Sequence, residues 1–177
     1  MTTEPVVLIQ PGYENSGPEH WQSLWEQANP DFVRVEQADW DAPLLDDWVR
    51  TLDETVRAQT GPVVIVAHSL GCATVAHWAA RHGVVIQGAL LVAPVDIDNA
   101  GLDAISTFAP VPLAPLPFPS IVVASTDDPW ATIERARRFA DAWGSDFVDA
   151  GPLGHLNSAS GVGDWPAGRE ILKGLTS

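Results

Sequence analysis

The segment Ala67-His68-Ser69-Leu70-Gly71 has the residue types and spacing of a nucleophile elbow. It follows the β-branched run 63–67 and precedes an alanine-rich stretch, which indicates a sharp turn from a strand into a helix. Such a turn strains the serine backbone, so the residues two positions away on each side must be small. Gly71 is the smallest residue, and Ala67 adds only one methyl group. The pattern predicts Ser69 as the nucleophile of an acyl transfer, against the simpler alternative that Ser69 only caps a helix.

A nucleophilic serine needs a histidine base and a carboxylate that orients the histidine, in the chain order serine, acid, histidine. Asp127 and Asp128 follow the apolar run 121–124, and His155 lies in a glycine-containing loop after the short run 147–148. Taken singly, each aspartate is more typical of a helix cap and the histidine of an ordinary loop. Together, at the ends of predicted strands and in the right order, they predict a triad with Ser69. The residues alone do not choose between the two aspartates.

Four further residues are candidates for contact with a substrate. The Leu70 N–H lies at the start of the predicted helix and is a candidate oxyanion donor. The Tyr13 N–H, in the loop after the first strand, is the candidate second donor. His20 follows that loop and either faces the site or caps the first helix. Trp130 lies near the end of a predicted loop, as do Trp40 and Trp165, and is a candidate pocket residue.

Six apolar runs, most of them rich in β-branched residues, indicate the strands that position these residues. They are continuous rather than alternating, which is typical of parallel strands covered on both faces. The runs are residues 6–9, 32–35, 63–67, 89–93, 121–124 and 147–148.

Amphipathic or alanine-rich segments between these runs predict helices over 19–28, 44–58, 70–82 and 130–143. We expect Asp164 to cap a last helix with Pro166 in its first turn. The alternation predicts an α/β class protein with a doubly wound, mostly parallel sheet, in a single domain over residues 1–177. With the elbow, it indicates a minimal α/β-hydrolase fold.

The proline-rich segment 94–119, with a possible short helix at 102–108, is too short for a large cap domain.

The composition excludes several classes of function. The formal net charge of −14 disfavours binding to nucleic acid or to acidic membranes. Neither a P-loop nor a dinucleotide-binding glycine motif occurs, so nucleotide binding has no support, and His77 and His82 do not share a helix face, which disfavours a metal site there. The single cysteine, Cys72, excludes an internal disulfide. No signal peptide or membrane span is evident in the sequence, which favours a cytoplasmic protein.

Several segments together resemble the small serine hydrolases related to retinoblastoma-binding protein 9 and the bacterial protein YdeN. The segments that carry the resemblance extend along almost the whole chain. They are Pro11-Gly12 with His20-Trp21-Gln22, Trp40 with Pro43 and Trp48, His68-Ser69-Leu70-Gly71, Ser125-Thr126-Asp127-Asp128-Pro129, Gly154-His155-Leu156-Asn157, and the closing 160–166.

The resemblance implies esterase-type activity on small acyl esters with no metal or organic cofactor, and it leaves the natural substrate open. It also chooses Asp128 as the acid, because the family's acid directly precedes the proline, and it implies a supporting role for Asp127.

The retinoblastoma-binding motif L-x-C-x-E is not carried over, because Leu70-Gly71-Cys72-Ala73-Thr74 lacks the glutamate. Two alternatives stay open: a hydrolase-fold binding protein without relevant catalysis, and hydrolysis of amides or thioesters.

Overall fold

All six predicted strands pair in one sheet in the computed structural model, which describes residues 3–177. The spatial order is β2-β1-β3-β4-β5-β6, and every neighbouring pair is parallel. The strands are β1 (Val6–Gln10), β2 (Phe32–Arg34), β3 (Val63–His68), β4 (Gly88–Val92), β5 (Ser120–Ala124) and β6 (Asp146–Asp149).

Helices connect the strands and cover both faces of the sheet. They are α1 (Trp21–Ala28), α2 (Leu45–Arg57), α3 (Leu70–His82), α4 (Ile97–Ala100), α5 (Ile133–Trp143) and α6 (Pro166–Thr176), with short 3₁₀ helices at Asp103–Phe108 and Ser158–Ser160. Helices α2, α3 and α5 pack on one face, and α1 and α6 pack on the other. This arrangement confirms the predicted doubly wound α/β fold.

Side chains of the central strands alternate between the two packing layers, as the pleat of a strand requires. In β1, Leu8 joins the layer of α2 and α3, whereas Val7 and Ile9 join the layer of α1 and α6. Because both layers are apolar, the strands appear in the sequence as unbroken apolar runs. Because the strands are parallel, their carboxyl ends lie at the same edge of the sheet. The candidate site residues come directly after these strand ends, so they also lie at that edge.

Helices α1, α2 and α5 begin later than the sequence prediction, at Trp21, Leu45 and Ile133, and the N-cap of α6 also differs. Helix α5 begins at Ile133 rather than Trp130, because the Thr132 hydroxyl caps it by accepting from the Arg135 N–H. The N-cap of α6 is Trp165, in a left-handed conformation, and not Asp164 as predicted. The Trp165 ring packs on Trp25 across the α1–α6 layer, so a contact distant in sequence sets this helix start.

The segment between β4 and β5 forms no large cap. It contains α4 and the 3₁₀ helix at Asp103–Phe108, which begins one residue after the predicted short helix. Ile105 and Phe108 are buried against the α2–α3 layer. The segment is therefore a packed crossover. Within residues 3–177, no helix has the length and apolar character needed to cross a membrane.

Candidate active site

The turn between β3 and α3 holds Ser69 in a strained backbone conformation, with φ 56° and ψ −119°. Non-glycine residues rarely adopt a positive φ, and such strain costs on the order of 1–3 kcal/mol. The Ser69 N–H donates to the Val92 carbonyl at 3.0 Å, which ties the turn to the end of β4. A methyl group on Gly71 would collide with the Gln10 carbonyl oxygen, so a larger residue would separate α3 from β1. The local geometry is that of the predicted elbow.

Ser69, His155 and Asp128 lie in a hydrogen-bonded row. The Ser69 Oγ–His155 Nε2 distance is 2.8 Å, and His155 Nδ1 lies 2.9 Å from both carboxylate oxygens of Asp128. The side chains of His155 and Asp128 are only 10% and 3% exposed. With the Nδ1 proton donated to Asp128, Nε2 is left as the acceptor for the Ser69 hydroxyl. This is the arrangement that a base-activated serine requires.

The two adjacent aspartates have different partners. Asp128 contacts His155 and also accepts from the Trp130 N–H at 2.9 Å. Asp127 points to the loop that carries the histidine, where its Oδ1 accepts from the Gly154 N–H and the Ser125 hydroxyl, each at 2.8 Å. These hydrogen bonds hold the pKa of Asp127 below its ordinary value. The structure therefore places Asp128 at the histidine and Asp127 in a supporting position.

Two further hydrogen bonds hold the loop after β6, which carries His155. The Trp21 Nε1–H donates to the Leu156 carbonyl at 2.7 Å. The His68 Nε2–H donates to the carbonyl of His155 itself at 2.8 Å. Both contacts join the histidine loop to other parts of the fold, α1 and β3, so the position of His155 is determined by long-range packing.

The loop after β1 passes directly over the elbow. A methyl group on Gly12 would lie 2.9 Å from the His68 carbonyl oxygen and 3.1 Å from the Leu70 nitrogen. Within residues 3–177, neither the Tyr13 N–H nor the Leu70 N–H has a protein acceptor. Both residues line the pocket that contains Ser69. Two free amides beside a serine Oγ are what an oxyanion hole requires.

Arg34 and Gln22 fix this loop. The sequence analysis did not name Arg34, and it named Gln22 only within the segment that carries the family resemblance. Arg34 donates to the Asn15 side chain at 2.7 Å and to the Ser16 carbonyl at 3.2 Å. The buried Gln22 side chain donates to the carbonyls of Gln10 and Val66 and accepts from the Ser16 hydroxyl. The signals in the sequence were the charge of Arg34 within a predicted strand and the place of Gln22 between the apolar residues Trp21 and Trp25.

A pocket of about 640 Å³ opens above Ser69. One side is apolar and is contributed by the crossover segment and the turn after β5, through Val95, Leu102, Ile105 and Trp130. The rest of the lining is mainly polar and comes from the loops after β1 and after His155, including Tyr13, Glu14, Asn15, His20, Asn157 and Ser158. The structure thus places both predicted pocket residues, His20 and Trp130, at the pocket, whereas Trp165 is buried in the core and Trp40 packs on Trp48.

His20 serves both of the roles considered for it. Its Nδ1 accepts from the Gln22 N–H at 3.1 Å and so caps α1, while its ring lines the pocket. Burial, with smaller contributions from the nearby Arg34 and His155, lowers the pKa of His20 to about 3. Burial also holds the pKa of His68 well below its ordinary value. Both rings are therefore neutral near pH 7.

The remaining reactive groups do not form a second centre. Cys72 is fully buried in α3, and burial raises the pKa of its thiol. Its Sγ donates to the Val92 carbonyl. Across the part of the chain that the structure describes, no three His, Cys, Asp or Glu side chains are grouped as a metal site would require.

The fold and the elbow define an α/β-hydrolase, and comparison with known proteins identifies the family. A model of the serine hydrolase family matches residues 7–174, so the chain belongs to the serine hydrolase family. A structure described as a YdeN-like hydrolase from Pectobacterium atrosepticum is 32% identical in sequence, with a TM-score of 0.86 over 98% of this chain and 91% of that one. This agrees with the resemblance to YdeN inferred from the sequence.

Two more distant structures share the fold. The ydeN gene product of B. subtilis is 21% identical, with a TM-score of 0.83 over 98% of each chain. Est1E from Butyrivibrio proteoclasticus, solved with ferulic acid bound, is 13% identical, with a TM-score of 0.73 over 97% of this chain and 89% of that one. A search among curated proteins found no match.

Proposed function

We propose that this serine hydrolase is an esterase that cleaves small acyl esters through a covalent acyl-enzyme on Ser69. The observation that carries the proposal is the row Ser69–His155–Asp128, with contacts of 2.8 and 2.9 Å. Ser69 sits on a strained turn in the lining of a pocket, beside two amides for which residues 3–177 provide no acceptor. A helix cap would need none of these features.

In the first step, Ser69 Oγ attacks the ester carbonyl while His155 Nε2 takes the hydroxyl proton. Asp128 holds the imidazole in the required tautomer and stabilises its charged form. The Leu70 and Tyr13 N–H groups stabilise the negative charge on the carbonyl oxygen. His155 then gives the proton to the departing alcohol, which leaves the acyl group bound to Ser69.

In the second step, a water molecule attacks the acyl-enzyme, and His155 again takes a proton. The tetrahedral intermediate collapses, the carboxylic acid is released, and the proton returns to Ser69. The two amides serve both steps, because both intermediates place negative charge on the same oxygen. The mechanism uses only side chains and amides described above.

The pocket favours a small substrate. Val95, Leu102, Ile105 and Trp130 provide an apolar wall for a short chain. No separate cap extends this wall into a tunnel for a long acyl chain. A higher kcat/KM for long-chain than for short-chain esters would contradict this part of the proposal.

The test is the intact mass of the protein after treatment with a fluorophosphonate, compared between the wild type and Ser69→Ala. We expect one adduct on the wild type and none on the variant, together with loss of butanoate ester hydrolysis by roughly a millionfold in turnover. Ser106→Ala is a matched control, because Ser106 is exposed in the 3₁₀ helix at Asp103–Phe108.

An adduct on Ser69→Ala, or unchanged ester hydrolysis, would refute the assignment of the nucleophile. A folded wild type that forms no adduct and hydrolyses no ester would favour a binding protein with this fold. Acyl-matched ester, thioester and amide substrates separate the remaining alternatives. The proposal requires the oxygen ester to have the highest kcat/KM of the three.

A further inference from the structure

The cap contact of His20 fixes which ring nitrogen carries the proton. Nδ1 accepts a hydrogen bond from the Gln22 N–H, so in the neutral ring the proton must be on Nε2. The surroundings keep the ring neutral near pH 7, because burial strongly lowers its pKa. His20 therefore presents an N–H donor on the side of the ring away from the helix.

That donor has no acceptor. His20 is 4% exposed, and among residues 3–177 no atom accepts from its Nε2. A buried N–H without a partner destabilises the fold, and in natural proteins such groups are few and call for an explanation. A capping side chain such as Asn or Ser would serve α1 without this cost.

The location of His20 indicates that the acceptor for its Nε2–H comes from a molecule bound in the pocket. Its ring lines the same pocket as Ser69 and His155. It packs edge-on against His68, at 4.7 Å between ring centroids, and His68 lies 4.9 Å from His155. His20 is thus part of the polar lining of the pocket, close to the reacting groups, with its buried Nε2 on the side of the ring away from the α1 backbone.

We propose that the His20 Nε2–H donates a hydrogen bond to the substrate, so that the preferred ester carries an acceptor oxygen close to the scissile bond. This inference rests on the esterase function proposed above. It adds that the substrate carries an acceptor oxygen in addition to the two of the ester group, as a hydroxylated ester does and a plain alkyl ester does not. A site built around a hydrogen bond discriminates strongly against a substrate that lacks the partner, because the donor is then left unpaired.

Two pairs of esters test the proposal and locate the acceptor. Ethyl 3-hydroxybutanoate and ethyl butanoate differ by a hydroxyl on the acyl part, whereas 2-hydroxyethyl butanoate and propyl butanoate differ by one on the alcohol part. In at least one pair, the wild type should favour the hydroxylated ester by about tenfold or more in kcat/KM. This measurement needs no variant. Equal values in both pairs would overturn the proposal.

The variant His20→Asn removes the imidazole N–H, and the shorter side chain still caps α1 through its amide oxygen. We expect the selectivity ratio of the responsive pair to fall about tenfold in this variant. The matched control His82→Asn changes a histidine at the end of α3, outside the pocket, and should keep the wild-type ratio. If His20→Asn lowers kcat/KM equally for both members of the responsive pair, His20 only positions the fold and the proposal is wrong.

The failure of this proposal is distinguishable from the failure of the esterase assignment. If the wild type hydrolyses none of the four esters and takes no fluorophosphonate adduct, the proposed function itself fails. If it hydrolyses them without preference, only the role of His20 fails.

Discussion

Asp127 and Asp128 are chemically identical neighbours whose side chains have different partners. Asp128 Oδ1 and Oδ2 both contact His155 Nδ1 at 2.9 Å, whereas Asp127 Oδ1 accepts from the Gly154 N–H and the Ser125 hydroxyl. Removing the charge from Asp128 leaves the imidazole in the wrong tautomer, whereas removing it from Asp127 weakens the support of the loop. The two substitutions should therefore affect different quantities.

We expect Asp128→Asn to lower kcat for ester hydrolysis by roughly ten-thousandfold, with little change in folding. The matched variant Asp127→Asn should lose far less activity, because its amide oxygen still accepts from the Gly154 N–H. Steady-state kinetics measure kcat for both variants, and unfolding in urea measures the free energy of unfolding of each. Equal losses of kcat would contradict the assignment of Asp128.

The buried histidine His20 should make stability depend on pH. Its pKa is about 3 in the folded protein, against 6.5 for an ordinary histidine. Between these values the unfolded chain binds a proton that the folded protein does not, so stability is greatest above about pH 6.5 and falls as the pH is lowered toward 3. His68 contributes in the same direction.

The variant His20→Asn isolates this contribution. Between about pH 6 and about pH 4.5, the free energy of unfolding should fall less steeply in the variant than in the wild type, by up to about 1.4 kcal/mol per pH unit. Urea unfolding at several pH values measures both slopes. Parallel slopes would show that His20 is protonated in the folded protein over this range.

At the scale of elements, the contact of α3 with β1 depends on one glycine. Gly71→Ala places a methyl group against the Gln10 carbonyl oxygen, which is backbone and cannot rotate away. We expect a loss of about 2 kcal/mol or more in the free energy of unfolding. The matched change Gly174→Ala, in α6, has no atom within 4 Å of the new methyl group and should stabilise the protein by up to about 1 kcal/mol.

Urea unfolding of both alanine variants gives the comparison directly. If Gly71→Ala is as stable as the wild type, α3 and β1 are less closely packed than described. The same experiment tests the elbow, because a displaced α3 would also move Ser69 and lower the rate of the fluorophosphonate reaction.

The sequence pattern predicted most of these elements because strands and helices are specified locally. The apolar run 63–67 predicted β3, and the alanine-rich stretch after it predicted α3 with the bounds that the structure gives. The features that sequence analysis missed depend on distant contacts. The Trp165 ring, at the start of α6, packs on Trp25. Arg34 fixes the loop after β1 through hydrogen bonds to Asn15 and Ser16. No local pattern records such contacts.

The candidate site was predictable for a related reason. An elbow and two strand-end residues can be identified from the chain order, whereas the tautomer and missing acceptor of His20 require its neighbours in space. The choice of Asp128 over Asp127 needed either the family resemblance or the structure, since both follow β5 within a few residues.

At the scale of the whole molecule, charge should influence which esters react. The formal net charge is −14, and no Lys or Arg side chain within residues 3–177 lines the pocket, whereas Glu14 does. The field of the protein should attract cationic esters and repel anionic ones, and salt should screen both effects.

Butyrylcholine and its neutral isostere 3,3-dimethylbutyl butanoate test this expectation. The ratio of their kcat/KM values should fall several-fold as the ionic strength is raised from about 0.01 M to about 0.3 M. The neutral ester alone serves as the control for general effects of salt. A ratio independent of salt would show that the electrostatic field of the protein does not influence the reaction of a cationic ester in the pocket.

The position of His155 after an edge strand has a consequence for how the enzyme would lose activity. Strand β6 has four residues and pairs only with β5, and Ser69 follows β3, three strands further into the sheet. Edge strands are among the parts of a protein that open locally at low free energy. Partial opening there would withdraw the base from Ser69 while the central sheet stays folded. In a urea titration, inactivation should then precede the loss of helical circular dichroism, and coincident transitions would show that the edge opens only with the whole protein.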